Sequence, residues 1–589
     1  MSGSRPNQGL ESHHNVLNND GDGRYNVDLK TANLNSSLMA MPAAINDVNA
    51  SEPSPAGIRE SLPEESGTHS PDSGARDASP EISLSRGYMG ESGFMQIFRQ
   101  GQTTTYLPTS SIIPGLRTET LSMSPLLLQA FEETHHEYCY PFCPILDKLN
   151  HAGDDPFAGS VLLQQALAVL GSRVNPPVIQ HDHPSLYYRR AKTLFYMSHE
   201  PNPLIRIIAI IFLQWWSAGP PNVVSLDSQY FWTGVAIRLA HEIGLYREPT
   251  RNHSLKLGET FGLRRRIFWA LFARERVFSL CQGRPCLVHL EDCDIQQPTL
   301  TDFPADQAAQ GEIFIHYVRL SEIIGRLSRR LSLASDRSAP ALDIIFELQN
   351  WVQSLPQHLL LPFGAARTAT RDFRRDVHQL HLPYLTAIML LYMNSSSHAL
   401  PKASATALLA ASCVARIFQD FLARGSINFV SGIGGWYVTV AILALLHGSQ
   451  IPALRDCANE QIDVLMIALR EIAKSWYSAE MFLRALEKHV KGQSEEARGN
   501  PSADTLQGDP GTTSSAWSDL ASSDGVDLLG FFPGHTAQTS KLFGVFYADE
   551  AADVLMNLAW PADFNISVMD LFDQTFEGMN GTFGFPAAC

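Results

Sequence analysis

The stretch "RRRIFWALFARERVFSLCQGRP", residues 264–285, joins three consecutive arginines to a dense run of aromatic and aliphatic residues. On a 3.6-residue period, Leu263, Ile267 and Leu271 fall close to one line, and neighbouring aromatics widen that line into an apolar stripe. Gly283 stands where a helix ends. The pattern therefore predicts a packed helix that buries its apolar stripe and is not a wet surface facing nucleic acid.

The arginines of this stretch are expected to form a solvated, salt-bridged basic edge beside the apolar stripe. Two arginine clusters about ten residues apart would lie roughly 15 Å apart along a helix, so tracking of phosphates is the alternative. The stripe is too apolar to stay wet, which favours the packed helix. We expect Arg266 or Arg276 to pair with an acid such as Glu242, Glu275 or Asp294.

The preceding stretch "FWTGVAIRLAHEIGLYRE", residues 231–248, has the same helical period. It places Arg238 on the polar side, Gly244 at a left-handed C-cap and Leu245 as the apolar residue that folds back onto the helix. Similar segments recur through residues 96–490, and strand-like alternation is nearly absent. The sequence thus predicts an all-α, multi-helix domain.

Composition divides the chain of 589 residues, whose formal net charge is −16. Residues 1–95 are rich in Ser, Pro, Asn, Gly and Glu, which predicts a disordered arm. Residues 491–525 return to Gly, Ser, Asp, Pro and Thr, which predicts a linker. Residues 526–589 form an acidic-aromatic tail, and from residue 501 onward Lys541 is the one basic residue against 12 acidic ones.

In this tail, bulky apolar side chains are spaced among carboxylates that keep the chain solvated. The composition is typical of amphipathic activation segments that bind the transcription machinery or a coactivator. The alternative is that short helices of the tail dock on the body of the protein. The candidate activation residues are Phe531, Phe532, Phe546, Trp560, Phe564, Leu571, Phe572 and Phe576.

Several polar clusters could suggest a metal or catalytic site. In "HHEYCYPFC", residues 135–143, helical spacing could gather His135, Cys139 and Cys143 as zinc ligands, but Pro141 interrupts the run and no second ligand pair follows. A buried aromatic-proline turn is the favoured interpretation. The sequence has no nucleophile elbow, phosphate loop or dinucleotide-binding glycine pattern. We therefore expect no metal, no cofactor and no enzymatic activity.

The N-terminus lacks the apolar core of a signal peptide, and the apolar runs are shorter than the roughly 18 residues of a spanning helix. The eight cysteines are consistent with reduced, intracellular thiols. We expect no membrane partner.

The succession of motifs over residues 234–298 resembles the middle homology region of fungal-specific transcription factors, and weaker similarity extends this core to residues 130–395. That family's pattern runs Gly-x-Ala-x-Arg-x-Ala-x-x-x-Gly-Leu, Arg-Arg-x-x-Trp, an acidic-Arg pair, Gly-Arg-Pro and Asp-x-Asp-x-x-x-Pro. The matching motif residues are Gly234, Arg238, Gly244, Leu245, Arg265, Arg266, Trp269, Arg276, Gly283, Arg284, Pro285, Asp292, Asp294 and Pro298.

The resemblance implies an all-α regulatory domain in a nuclear regulator, most simply an activator of a metabolic pathway or of a specialised-metabolite gene cluster. It also implies homodimers or heterodimers with related factors. Members usually contact DNA through a six-cysteine zinc module, and here no cysteine precedes Cys139, so direct DNA contact is expected only if such a module exists. The alternative is a co-regulator or small-molecule-sensing module that acts through a DNA-binding partner.

Overall fold

The computed structural model describes residues 116–118, 121–150, 155–216, 224–249, 255–332, 341–361, 373–394, 401–487, 528–535 and 542–543. The predicted disordered arm, the predicted linker and most of the predicted tail lie outside these residues.

Helices dominate the described residues, as the sequence predicted. The N-terminal half contains α1 (Pro125–Thr134), a five-residue π-helix (His135–Cys139), α2 (Pro156–Gly159), α3 (Val161–Val174), α4 (Pro184–Tyr196), α5 (Pro203–Leu213), α6 (Gln229–Glu242) and α7 (Phe261–Gln282). The C-terminal half contains α8 (Ala308–Ser332), α9 (Leu342–Gln353), α10 (Arg375–Leu391), α11 (Ala405–Ala423), α12 (Gly434–Ser449) and α13 (Arg455–Ala473). Residues 477–487 are also helical.

Two short antiparallel strands, β1 (Met393–Asn394) and β2 (Lys402–Ala403), join α10 to α11. The all-α prediction is therefore confirmed.

Short polar side chains begin many of these helices, because they accept hydrogen bonds from backbone N–H groups that have no partner within the first turn. Ser160 does so for α3, Ser228 for α6 and Thr260 for α7. Proline at the first helical position begins α1, α2, α4 and α5. The Thr260 cap places the first residue of α7 at Phe261.

Helix α7 is buried on nearly all sides, including at three of its arginines. The exposed fractions are 5% for Arg264, 1% for Arg266 and 8% for Arg276. The prediction of a solvated basic edge is therefore wrong at these positions. A one-dimensional pattern finds the apolar stripe of a helix, but it does not show that acidic and carbonyl groups of other elements will cover the opposite side.

The end of α6 confirms the predicted left-handed cap. Gly244 has φ 65°, the N–H of Leu245 donates to the carbonyl of Ala240 at 2.9 Å, and the Leu245 side chain is fully buried. This is the geometry in which an apolar residue after the cap folds back onto its helix. The turn directs the chain toward α7.

Helix α11 is the one described helix long and apolar enough to cross a membrane, and 83% of that window is buried inside the protein. Its side chains pack against α10, α12 and α13. Its apolar composition is therefore explained by its position in the core of the helical domain.

Residues 528–535 and 542–543, hereafter the docked segment, pack against the C-terminal helices. The hydroxyl of Tyr384 in α10 donates to the carbonyl of Phe531 at 2.9 Å. Phe531 and Phe532 are 1% and 4% exposed, and Phe543 is fully buried. The first part of the predicted tail thus belongs to the core.

Candidate ligand-binding site

The motif arginines of α7 tie the helix to loops on several sides of it. Arg266 donates from Nη1 to the Tyr140 hydroxyl and to the Pro144 carbonyl, each at 2.8 Å. Its Nη2 contacts an Asp147 carboxylate oxygen at 2.8 Å. Every one of these partners belongs to the segment after the π-helix, so Arg266 fixes that segment to the centre of the protein. The pairing with an acid was predicted, although the acid is Asp147.

Arg265 connects two loops that follow α6 and α7. Its Nη1 lies 2.8 Å from Asp302, and its Nε donates to Glu248 at 3.1 Å. The same carboxylate accepts from the backbone N–H of Gln296. Hydrogen bonds from Arg265 are the main reason why the pKa of Glu248 falls below its ordinary value.

Arg276 and Glu275 form a buried pair, as one of the predicted pairings required. Their Nη1 and Oε2 atoms are 3.2 Å apart, and Arg276 also donates to the Val288 carbonyl. Burial raises the pKa of Glu275 above its ordinary value, against the attraction of Arg276. Gly283, with φ 60°, ends α7 in the left-handed conformation that glycine tolerates best.

The remaining motif residues are distributed over the surface and the core. Trp269 is buried and donates from Nε1 to the Gln296 carbonyl at 2.8 Å. Arg284 lies 4.5 Å from the Tyr230 ring centroid. Leu245 and Pro298 are buried, whereas Arg238, Pro285, Asp292 and Asp294 are exposed, and Gly234 has room for a methyl group. The structure thus brings most of the motif together as a structural network around α7.

The His-Cys segment is part of the same core. His135 is fully buried, one ring nitrogen lies 3.0 Å from the Cys143 carbonyl, and burial holds its pKa well below the ordinary range. Burial raises the pKa of the Cys143 thiol to about 12, so this thiol is protonated at neutral pH. Within the described ranges, no cluster of three or more His, Cys, Asp or Glu side chains could hold a metal ion.

A cavity of about 110 Å³ lies where these elements meet. Its wall includes the end of α3, the residues after α5, the middle of α7, the loop 428–433 and parts of α8, α10 and α12. Two irregularities of the backbone border it: the π-helix, and Pro383 inside α10, which removes the ladder hydrogen bond to the carbonyl of Gln379. Such irregular turns are frequent at functional sites.

The lining is largely aromatic and apolar, and its ionic groups are all cationic. Trp215, Phe278 and Tyr437 contribute rings, and Arg173 and Arg274 contribute guanidinium groups. No carboxylate is among the described residues that line the cavity. A cleft with mostly apolar walls and a few converging polar groups is the usual form of a small-molecule site.

No motif in the sequence predicted this site. Arg274 was assigned to the exposed edge of α7, and Arg173 sits near the end of α3 without a motif. The one available signal was the spacing of Arg274 between Phe272 and Phe278, which places a cation among rings on a helix. A sequence alone does not show that α3 and α7 converge.

The candidate activation residues Phe531 and Phe532 lie in the docked segment and are buried. For this part of the tail, the structure therefore agrees with the alternative prediction that the tail docks on the body of the protein. Phe546, Trp560, Phe564, Leu571, Phe572 and Phe576 lie outside the described residues.

The described residues form a helical domain with a cavity beside α7. Comparison with known families gives its class: residues 135–353 match the model described as the fungal specific transcription factor domain. Residues 135–353 are thus similar to a fungal specific transcription factor domain, and the resemblance found in the motifs is confirmed for this range. This range includes Arg173, Gln214 and Arg274.

Known relatives carry names of transcription regulators. The chain is 28% identical over 389 residues to an acetamidase regulatory protein of Aspergillus fumigatus. The aligned region covers 62% of this chain and 48% of that relative. It is 23% identical to cutinase transcription factor 1 alpha of Fusarium vanettenii, over 62% of this chain and 43% of the relative. The chain thus spans about half the length, or less, of these relatives. The family and these relatives are transcription regulators and not enzymes. No solved structure matches.

Proposed function

We propose that this chain is a transcription regulator of the nucleus whose helical domain senses a small molecule in the cavity around α7. The observation that carries the proposal is the fungal specific transcription factor domain over residues 135–353. The names of the relatives, acetamidase regulatory protein and cutinase transcription factor, support control of genes for the use of a carbon or nitrogen source. Control of a specialised-metabolite gene cluster remains within the same proposal.

The activating surface in this proposal is residues 544–589, which follow the docked segment. They contain no lysine or arginine, and their acidic residues are interspersed with aromatic ones. Acidic side chains keep such a segment solvated, while its rings remain available to a coactivator. Because Phe531 and Phe532 are part of the core, the activating residues are the six candidates from Phe546 to Phe576.

A reporter experiment tests this function. The full chain is fused to a foreign DNA-binding domain and compared with the same fusion ending at residue 543. We expect the full chain to activate the reporter and the shorter fusion to lose most of the activity. The triple substitution Phe564→Ser, Phe572→Ser and Phe576→Ser should have the same effect as the deletion.

The matched control places serine at three polar positions of the same segment, Asn557, Asn565 and Asn580, and should leave activation intact. A silent reporter with the full chain, at normal protein levels in the nucleus, would refute the activator role.

A second candidate function is a co-regulator that binds a DNA-binding relative. The cavity supports the co-regulator role as well as it supports the activator role. A ligand bound between helices can change a dimer surface without any contact to DNA. Co-purification with a related factor, stronger in the presence of the effector, would be the result expected for this role.

A further inference from the structure

The cavity around α7 contains two cations whose charges are balanced by no carboxylate of the described residues. Among the described residues, no carboxylate lies within the 4.0 Å of a salt bridge from Arg173 or Arg274. This contrasts with Arg264, Arg265, Arg266 and Arg276 of the same region, each of which has a carboxylate partner.

Aromatic rings hold the two guanidinium groups in place. The Cζ atom of Arg173 is 4.9 Å from the ring centroid of Trp476 and 5.4 Å from that of Trp216. The Cζ atom of Arg274 is 5.1 Å from the ring of Trp215 and similarly close to that of Phe278. Such contacts fix a guanidinium by its face. Arg274 uses its Nε to donate to Gln214, and the other in-plane N–H donors of the two groups, which are of the kind that bind carboxylates, have no partner among the described residues.

A third donor without a partner lies beside them. Gln214 is fully buried and lines the cavity, and its Nε2 makes no hydrogen bond. Its orientation is fixed, because Oε1 accepts from Arg274 Nε and from Thr233 at 3.0 Å. The buried Nε of Arg173 also has no partner. Every unsatisfied group identified here is a donor.

Half-buried cations and buried donors without partners destabilise a fold unless a ligand supplies the missing charge. Burial lowers the pKa of Arg173 to about 10, and that of Arg274 also falls, yet both groups stay protonated at neutral pH. The site therefore combines two cations and two unpaired donors, Gln214 Nε2 and Arg173 Nε, with aromatic walls. The complementary molecule has an anionic, acceptor-only end and an apolar body.

We propose that the cavity binds a small organic carboxylate, whose oxygens accept hydrogen bonds from Arg173, Arg274 and Gln214. The apolar part of the acid packs against Trp215, Phe278 and Tyr437, which line the same cavity. The inference rests on the proposed function in one respect: the acid is the effector that the regulator senses.

The size of the cavity restricts the acid. Its volume of about 110 Å³ is somewhat smaller than the engineered cavities of roughly 150 Å³ that bind benzene. The ligand is therefore a compact acid with few carbon atoms, and a long-chain fatty acid or a nucleotide is too large for the space as it stands.

The test uses the purified full chain and pairs of probes that share a shape but differ in charge. The carboxylates are propionate, isovalerate and benzoate, and the controls are propionamide, isovaleramide and benzamide. Inorganic phosphate tests for an anion without an apolar body. Binding is measured by thermal unfolding and by tryptophan fluorescence, because Trp215 and Trp476 line the cavity.

We expect at least one carboxylate to raise the melting temperature and to change the fluorescence, while its amide does neither. Arg173→Met should weaken binding of that probe about tenfold or more, because a charge-assisted hydrogen bond is lost. Since Arg173 makes no hydrogen bond to any described residue, this variant should fold and melt at the same or a higher temperature without a probe. Arg274→Met gives a second, independent loss.

The matched control is Arg319→Met, at an exposed arginine of α8 outside the cavity lining, which should bind the probe as the unsubstituted chain does. The inference is overturned if no carboxylate binds, if the amides bind equally well, if phosphate alone binds, or if Arg173→Met leaves affinity unchanged.

The reporter fusion separates this inference from the proposed function. Activation that ignores every carboxylate, together with an absence of binding, would overturn the inference alone. Binding that requires Arg173, together with a silent reporter, would overturn the regulator role and leave the carboxylate site intact.

Discussion

Arginine has two distinct roles in this protein, and the partner of each guanidinium decides between them. Arg266 has a carboxylate, a hydroxyl and a carbonyl as partners, and it makes the π-helix segment and α7 one unit. Arg173 has aromatic rings and no acid. The first is a structural cation, and the second has its hydrogen-bonding edge free for a ligand.

Arg266→Met is expected to destabilise the protein by about 3–5 kcal/mol, because it leaves the buried Tyr140 hydroxyl, the Pro144 carbonyl and Asp147 without their donor. Arg266→Lys should recover only part of this loss, since one ammonium group cannot replace the planar fork. The free energy of unfolding in urea measures both effects. The control Arg238→Met, at an exposed position of α6, should stay within about 0.5 kcal/mol. Equal stability of the two methionine variants would contradict the structural role of Arg266.

At the scale of elements, the sequence pattern was most informative where a helix has one apolar face and a terminating residue. Gly244 and Gly283 both adopt the left-handed conformation, and Gly244 was assigned it from the sequence. The docked segment was harder to foresee. Its aromatic residues, Phe531 and Phe532, have the composition of the exposed tail that follows, and only the groove formed by α9 and α10 buries them.

Buried histidines should make this region sensitive to acid. Burial lowers the pKa of His381 in α10, and that of His535 in the docked segment, to about 4. Between about pH 6.5 and 4 the unfolded chain therefore binds more protons than the folded one. The free energy of unfolding should fall as the pH falls through this window, by up to about 1.4 kcal/mol per pH unit for each histidine.

Urea denaturation across this pH range measures the effect. His381→Gln keeps a donor for the Leu359 carbonyl and removes one titrating group, so its stability should depend less steeply on pH. His199→Gln, at an exposed histidine, should leave the slope unchanged. A slope that is the same in all three proteins would show that His381 does not take up a proton on unfolding.

For the whole molecule, charge and burial together argue against strong DNA binding by these helices. The net charge is −16, and the arginines of α7 that most resemble a basic patch are engaged inside the protein. A surface that neutralises few phosphates gains little from counterion release. The proposed role of the helical domain is therefore to sense and to transmit.

The purified 589-residue chain is expected to bind duplex DNA weakly and without sequence preference, with an affinity that falls as salt is added. Fluorescence anisotropy with a labelled duplex at several salt concentrations measures this. Fusion to a sequence-specific DNA-binding domain is the positive control. Tight binding to one sequence that competitor DNA does not remove would contradict the internal role of the α7 arginines.

The sequence by itself determined the helical class, the caps at Gly244 and Gly283 and the membership of the motif in a known domain family. These properties depend on local periodicity, on backbone conformation and on the order of residues, all of which are written along the chain. The tertiary structure alone decided which arginines are paired, where the docked segment lies and that a cavity exists. Those properties depend on groups distant in sequence: Asp147 meets Arg266 across 119 positions, and Arg173 and Arg274 line one cavity from helices far apart in the chain. Burial makes these long-range contacts important for stability. An unpaired charge costs little free energy in water, but it costs much more between packed helices.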